Sequence, residues 1–127
     1  MAIRMGIGYD IHRKAKGRAL VLGGVTFEGE RGLEGHSDAD VLLHAVGDAL
    51  LGALALGDLG QYFPPEDARW KDASSLTLLG LIRSMLHGRS AKIINVDATV
   101  IAEKPKITPQ RDAMRAEFIR RHLGSAN

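Results

Sequence analysis

Val41-Leu42-Leu43-His44-Ala45-Val46-Gly47-Asp48-Ala49-Leu50-Leu51-Gly52-Ala53-Leu54 is the stretch on which the fold turns. It is apolar almost all round, and a helix of that kind is buried. The helix is expected over 38–56, with Ser37 or Asp38 as its N-cap and Gly57 closing it. Asp40, His44 and Asp48 recur at i, i+4 and i+8 and make one polar stripe along it. Charge buried without a partner is expensive. The stripe must therefore face a metal, a ligand, a subunit interface or water. For Asp48 taken alone, a solvent-facing position is the preferred reading.

Elements of both kinds flank this helix. Residues 2–9 alternate loosely and read as a strand ending at Gly8-Tyr9. A second strand is expected over 19–27, with Gly23-Gly24 marking a bulge or a close approach. Residues 28–37 read as loop and 58–67 as a long turn segment. A second helix covers 73–87, its apolar stripe being Leu78, Leu79, Ile82, Met85 and Leu86. Residues 92–102 alternate, with Ile94, Val96, Ala98, Val100 and Ala102 facing one way, as in a half-buried strand. Pro109 opens a last helix running to about Leu123. Interleaved strands and helices imply an α/β (α+β) fold, a small mixed sheet with helices packed on one face. Three strands make a thin sheet, which would gain from another strand or from partner subunits.

Composition narrows the function classes. The 127 residues suit one domain, and 45% apolar content supplies a core. There are no cysteines, so disulfides and thiolate ligands are excluded and any metal is held by nitrogen and oxygen. A net charge of +2 is too small to argue for nucleic acid. Arg111, Arg115, Arg120 and Arg121 cluster on one helical segment and read as a solvated face. No apolar run reaches membrane-spanning length, so no membrane partner is expected. The first residues show no signal-peptide pattern. A cytoplasmic location is expected, with a processed plastid protein as the alternative.

The chemistry-bearing residues converge. Residues two apart on a strand point the same way, so Asp10 and His12 can meet at one point, and His44 can complete the set from the helix. Three protein ligands leave a tetrahedral zinc one open position, which is the arrangement of a catalytic site. His36 stands before a helix N-terminus, where anions are favoured; a phosphate contact and a plain surface histidine are equally good readings from spacing. His87 and His122 lie at helix ends and read as structural. Gly6-Ile7-Gly8 is no dinucleotide fingerprint, because the third glycine would fall at Ile11. No P-loop, HExxH or nucleophile elbow is present.

Several blocks together resemble a known family. Gly6-Ile7-Gly8-Tyr9-Asp10-Ile11-His12, Gly35-His36-Ser37-Asp38-Ala39-Asp40-Val41-Leu42-Leu43-His44-Ala45, Asp48-Ala49-Leu50-Leu51-Gly52-Ala53, Ala55-Leu56-Gly57-Asp58-Leu59-Gly60, Phe63-Pro64, Asn95-Val96-Asp97 and Ile101-Ala102-Glu103-Lys104-Pro105-Lys106 look like the 2-C-methyl-D-erythritol 2,4-cyclodiphosphate synthases. The match runs in order from about residue 4 to residue 123. The resemblance implies a phosphorus-oxygen lyase of non-mevalonate isoprenoid biosynthesis. It would cyclise 4-diphosphocytidyl-2-C-methyl-D-erythritol 2-phosphate and release CMP. It implies a homotrimer with active sites between neighbouring subunits, and a divalent metal, usually zinc, held by Asp10, His12 and His44. Asp10 and His12 would also contact the substrate. His36, the catalytic candidate, would with Ser37 hold the attacking phosphate and stabilise the transition state. Asp58, Leu59 and Gly60 would take the methylerythritol hydroxyls. Phe63, Pro64, Pro65, Glu66 and Asp67 would form a loop over the substrate. Ala102, Glu103, Lys104, Pro105, Lys106, Ile107 and Thr108 would lie against the cytosine.

This chain departs from the family pattern in three places. Ala39 replaces a common glycine, and Pro65 removes a carboxylate and a backbone donor from the loop. The family continues with a further strand and a Thr-Thr-x-(Glu/Lys)-like segment that contacts the diphosphate and a magnesium ion. Nothing here matches that segment, so residues 1–127 are expected to be a single cyclodiphosphate-synthase-like domain lacking it. The alternative function is a catalytically impaired protein of the same fold that binds metal and cytidine nucleotide. A metallohydrolase using metal-bound water and a structural module are weaker alternatives.

Overall fold

The computed structural model describes residues 2–120. Four short strands come first: β1 (Lys14–Ala15), β2 (Leu20–Leu22), β3 (Val25–Phe27) and β4 (Gly32–Leu33). Helices α1 (Val41–Ala53), α2 (Leu59–Tyr62), α3 (Ser75–Gly88) and α4 (Arg111–Phe118) follow. Single 3-10 turns lie at Ala68–Trp70 and Thr108–Gln110. The α/β class expected from the sequence is borne out, but the strands pair differently. Among the described residues they form two antiparallel ladders, β1 with β4 and β2 with β3.

The single strand expected over 19–27 is a hairpin. Gly23 and Gly24 are its two-residue turn, with φ of 60° and 78°. A two-residue turn with both φ positive matches the twist of the flanking strands, and glycine adopts it without steric cost. The close approach is real as well, since a Cβ on Gly24 would meet Leu76 at 2.7 Å. The loop expected over 28–37 contains β4, whose Gly32 lies beneath the Arg18 and Ala19 carbonyls, where a Cβ would not fit.

Helix α1 is shorter than expected, and its N-cap is Asp40 rather than Ser37 or Asp38. Ala39 turns the chain with φ 57°, and Asp40 follows in an extended conformation. The Asp40 carboxylate is wholly buried and accepts the Gly23 and Gly24 amides of the hairpin turn and the Leu43 amide of the helix. One side chain thus ties hairpin to helix, and it is not part of a polar stripe. Burial pushes its pKa up to about 6, against the pull of those amides.

Apolar burial follows in two clusters. Leu20, Leu22, Phe27, Leu33, Ala39 and Met114 pack around the hairpin and α4. Leu43, Val46, Leu51, Leu79, Ile82 and Leu86 pack between α1 and α3. At about 1.5–3 kcal/mol for each fully buried large aliphatic side chain, the second cluster locks α1 and α3 together. Its α3 members, with buried Leu78 and half-buried Met85, are the stripe read from sequence. Pro109 does sit at the start of the last helical segment, within a 3-10 turn that leads into α4. The expected end near Leu123, Arg121 and His122 lie outside the described residues. Arg115 pairs with Asp112 on α4, and Arg120, just beyond it, pairs with Glu117, as suits a solvated face.

Two strands expected from alternation form no ladder among the described residues: 2–9 and 92–102. The alternation in the first is nevertheless physical. Gly6 and Gly8 lie flat on α1, where a Cβ would meet the Ala49 and Ala45 carbonyl oxygens at 1.8 Å. Ile3, Met5, Ile7, Tyr9 and Ile11 point outward and are 74–91% exposed. In the second, Ile93 and Val96 pack on the α1–α3 cluster while Ile94 and Ile101 are exposed, so the inward set differs from the one expected. Alternation marks which side of a chain is covered; pairing needs a neighbour strand as well.

Candidate metal centre and adjoining pocket

Asp10 and His12 end the extended segment, and His44 stands on the first turn of α1. Gly6 and Gly8 bring that segment down onto α1, so side chains two residues apart reach the helix at one level. The His12 Nε2 lies 2.8 Å from Asp10 Oδ2, and the His44 Nδ1 lies 3.3 Å from the same oxygen. One ligand atom from each of the three falls within 4.8 Å of the others. The ring centroids of the two histidines are 5.3 Å apart. Two imidazole nitrogens and a carboxylate oxygen at this spacing fit a divalent cation of the zinc type.

Electrostatics fit the same reading. Burial raises the Asp10 pKa, but hydrogen bonds and charge attraction from His12 and His44 outweigh it and hold the carboxyl well below its ordinary range. The hydrogen bond to Asp10 raises His12 above its ordinary 6.5, against the effect of burial.

An open cavity of about 260 Å³ adjoins the cluster, lined among others by His36, Ser37, Asp48, Phe63 and Trp70. Of the residues singled out from the sequence, Asp10, His12, His36, Ser37, His44, Leu59, Gly60, Phe63 and Pro65 line it. Asp58, Pro64, Glu66 and Asp67 do not. Asp58 caps α2 by accepting the Gln61 amide, and Asp67 caps the 3-10 turn and grips Arg69. Its backbone carbonyl lies 3.1 Å from the His36 Nε2, which joins the loop to the pocket wall. The segment Ala102–Thr108 is not in the lining either. The Lys104 carbonyl accepts the Lys14 ammonium at 3.1 Å, and Ile107 packs on the hairpin cluster.

Asp48, Trp70 and Leu78 also line the cavity and were not expected there. Asp48 does not face bulk solvent: its Oδ1 accepts the Leu59 amide at 2.9 Å and fixes the start of α2. The i+4 spacing from His44 already placed it on this side. Trp70 stacks edge-on against Phe63 with ring centroids 5.0 Å apart. No periodic pattern signals a lone tryptophan in a polar turn. Arg18 was missed as well. Its guanidinium donates to the Gly35 and Ser37 carbonyls and braces the stretch carrying His36. His87 is an exposed residue of the last turn of α3, away from the cavity.

Comparison with known proteins agrees with this arrangement. The model of the YgbB family matches residues 3–126. The chain belongs to the YgbB family. As a YgbB chain it is 56% identical over 112 residues to the 2-C-methyl-D-erythritol 2,4-cyclodiphosphate synthase of Synechococcus elongatus, covering 88% of this chain and 70% of the relative. It is 56% identical over 118 residues to the synthase of Salinibacter ruber, covering 93% and 75% respectively. A solved structure of a 2C-methyl-D-erythritol-2,4-cyclodiphosphate synthase superposes with a TM-score of 0.86 at 38% identity, over 92% of this chain and 78% of that one. A CDP-bound form superposes equally well, at 37% identity. The YgbB chain thus shares both fold and sequence with these synthases. None of its described helices is long and apolar enough to cross a membrane.

Proposed function

We propose that this protein is the metal-dependent lyase that converts 4-diphosphocytidyl-2-C-methyl-D-erythritol 2-phosphate into 2-C-methyl-D-erythritol 2,4-cyclodiphosphate and CMP. An oxygen of the 2-phosphate forms a bond to the β-phosphorus. The bond from that phosphorus to the bridging oxygen breaks, and CMP leaves with the electron pair. The observation that carries the reading is the Asp10–His12–His44 cluster in the wall of a cavity that His36 and Ser37 also line, in a chain 56% identical to named synthases.

Asp10, His12 and His44 would hold the ion, zinc being the best match to a nitrogen and oxygen set. When bound, it supplies Lewis-acid stabilisation of charge on a phosphoryl oxygen. The remaining work is positioning, which dominates phosphoryl transfer. His36 and Ser37 would orient the attacking phosphate, with His36 as the catalytic candidate. Asp58, Leu59 and Gly60 would take the methylerythritol hydroxyls, with Leu59 held by Asp48. Phe63 to Asp67 would cover the bound substrate. No protein nucleophile is needed, because substrate carries its own.

A homotrimer is part of this proposal. The cavity is below the roughly 300–1,000 Å³ common for whole small-molecule ligands, so the cytidine must lie partly outside it. The Ala102–Thr108 segment expected to meet the base lies off its own chain's cavity, and a neighbouring copy would supply it. Exposed Ile3, Met5, Ile7, Tyr9 and Ile11 give such a neighbour an apolar surface. We further propose that 1–127 forms one domain acting in the bacterial cytoplasm, or in a plastid after processing. The family's magnesium would need ligands beyond the one cluster found among the described residues.

The test is to incubate zinc-loaded protein with the substrate and follow phosphorus resonances. CMP and the cyclic diphosphate should appear together. CMP with a linear product would instead indicate the hydrolase. Zinc and CDP binding without turnover would indicate the impaired binder, an alternative that gains no support from the intact ligand cluster or from relatives named as synthases.

A further inference from the structure

We propose that Ser75 and Asp38 are positioning residues that fix the His44 ring with its hydrogen on Nε2, so that the Nδ1 lone pair faces the metal position. The proposal rests on the reading of Asp10, His12 and His44 as metal ligands. It starts from a buried polar chain that the catalytic assignment does not use. Ser75, the first residue of α3, is 2% exposed. Its Oγ donates to Asp38 Oδ1 and lies 3.0 Å from His44 Nε2.

A serine hydroxyl has one hydrogen. Once that hydrogen is given to Asp38, the Ser75 oxygen can only accept, and the hydrogen between Ser75 and His44 must sit on Nε2. Asp38 is held firmly enough to impose this. Its Oδ2 accepts the Ser75 amide at 2.9 Å, its Oδ1 accepts the Asp40 amide at 3.1 Å, and its own amide donates to the Ala73 carbonyl. The carboxylate therefore cannot rotate away without breaking the junction of α1 and α3. The ring edge opposite Nε2 carries Nδ1, the atom nearest Asp10. Orienting partners of this kind set both tautomer and ring angle of a ligating histidine.

The same hydrogen reaches Ser37, whose Oγ lies 3.1 Å from His44 Nε2 and accepts the Ala39 amide at 3.3 Å. With both neighbours donating to it, the Ser37 oxygen keeps its own hydrogen for the cavity that it lines. The chain from Asp38 thus prepares one imidazole for the metal and one hydroxyl for an anionic ligand.

The experiment uses metal-free full-length protein, ring-nitrogen NMR of His44 and zinc affinity from competition with a chromophoric chelator. The wild type should carry hydrogen on Nε2. Ser75→Ala should mix the tautomers and weaken zinc binding roughly 10–100-fold, with an unchanged far-ultraviolet circular dichroism spectrum. Ser75→Thr, which keeps the hydroxyl, should recover both signals. Unchanged tautomer and affinity in Ser75→Ala would overturn the proposal. Should that variant not fold, the wild-type spectrum decides alone, and an Nε2 without hydrogen would overturn it. Wild-type protein that binds no zinc would bring down the ligand reading itself, which separates that failure from this one.

Discussion

The helical half of the site and its extended half are held by different means. His44 stands on α1, which shares a packed apolar cluster with α3 and is pinned at its start by buried Asp40 and by the Ser75–Asp38 chain. Asp10 and His12 stand on a segment with no ladder among the described residues. That segment is seated on α1 by two glycines, and its outer face is apolar and exposed. The lesson is that metal binding and folding draw on different residues here. Away from His44 and its Ser75–Asp38 support, changes in the helical half should cost stability, whereas changes in the extended half should cost the ion.

The largest effect is expected at His44, where the halves meet. His44→Ala should abolish stoichiometric zinc, measured by elemental analysis after dialysis, and catalysis with it. Retained zinc at one ion per chain would refute the ligand assignment. Next comes Gly8→Ala. Its Cβ would meet a backbone oxygen that cannot step aside, so the segment must lift from α1. A misplacement of about 1 Å can cost on the order of 10²-fold in rate, and kcat/KM should fall by about that much while the denaturation midpoint barely moves. A large drop in midpoint would show that the segment carries the fold after all.

Asp40→Ala should behave in the opposite way. It removes an N-cap and strands three amides from two elements. Losing a cap costs about 1 kcal/mol, and each stranded buried donor about 1–3 kcal/mol before relaxation. A loss of about 2–4 kcal/mol in urea unfolding is expected, with the zinc affinity of the folded fraction within tenfold of wild type. Equal damage to both would dissolve the distinction between the halves.

The same division explains what could be read from the amino acids alone. The α1 and α3 stripes were legible because a buried helix writes its burial at a 3.6-residue period. Asp10, His12 and His44 were legible because period-two geometry and the family blocks pointed to one cluster. Asp40 was misread as part of a stripe, since a cap is defined by the backbone turn at Ala39 and not by spacing. Gly23-Gly24 reads from sequence as a bulge or a close approach; the approach is real, but the hairpin turn stays hidden because a turn and a bulge share the same glycine signal. Ser75 lies 37 residues from Asp38, and no local pattern announces a contact made only when α3 docks on α1. The strands at 2–9 and 92–102 were inferred from alternation, which the covered sides obey only in part.

The smallest expected effect concerns pH, and it compares the metal-free and metal-loaded site. In the metal-free protein the hydrogen bond that His12 donates to Asp10 raises His12 above 6.5. A histidine raised on folding lends stability that is full below its unfolded pKa and is lost as pH rises through the raised value. Zinc has the opposite requirement, because imidazole binds only after losing that proton. The gain in melting temperature on adding a fixed amount of zinc should therefore be greatest above pH 8. It should shrink on acidification as His12 takes up its proton, and in the metal-free protein NMR should find His12 titrating above 6.5. In metal-free Asp10→Asn the carboxylate that raises His12 is gone, so His12 should titrate at a lower pH. A metal-free wild-type His12 titrating below 6.5 would mean that Asp10 does not raise it, and the two ligands of the extended half would then not be coupled.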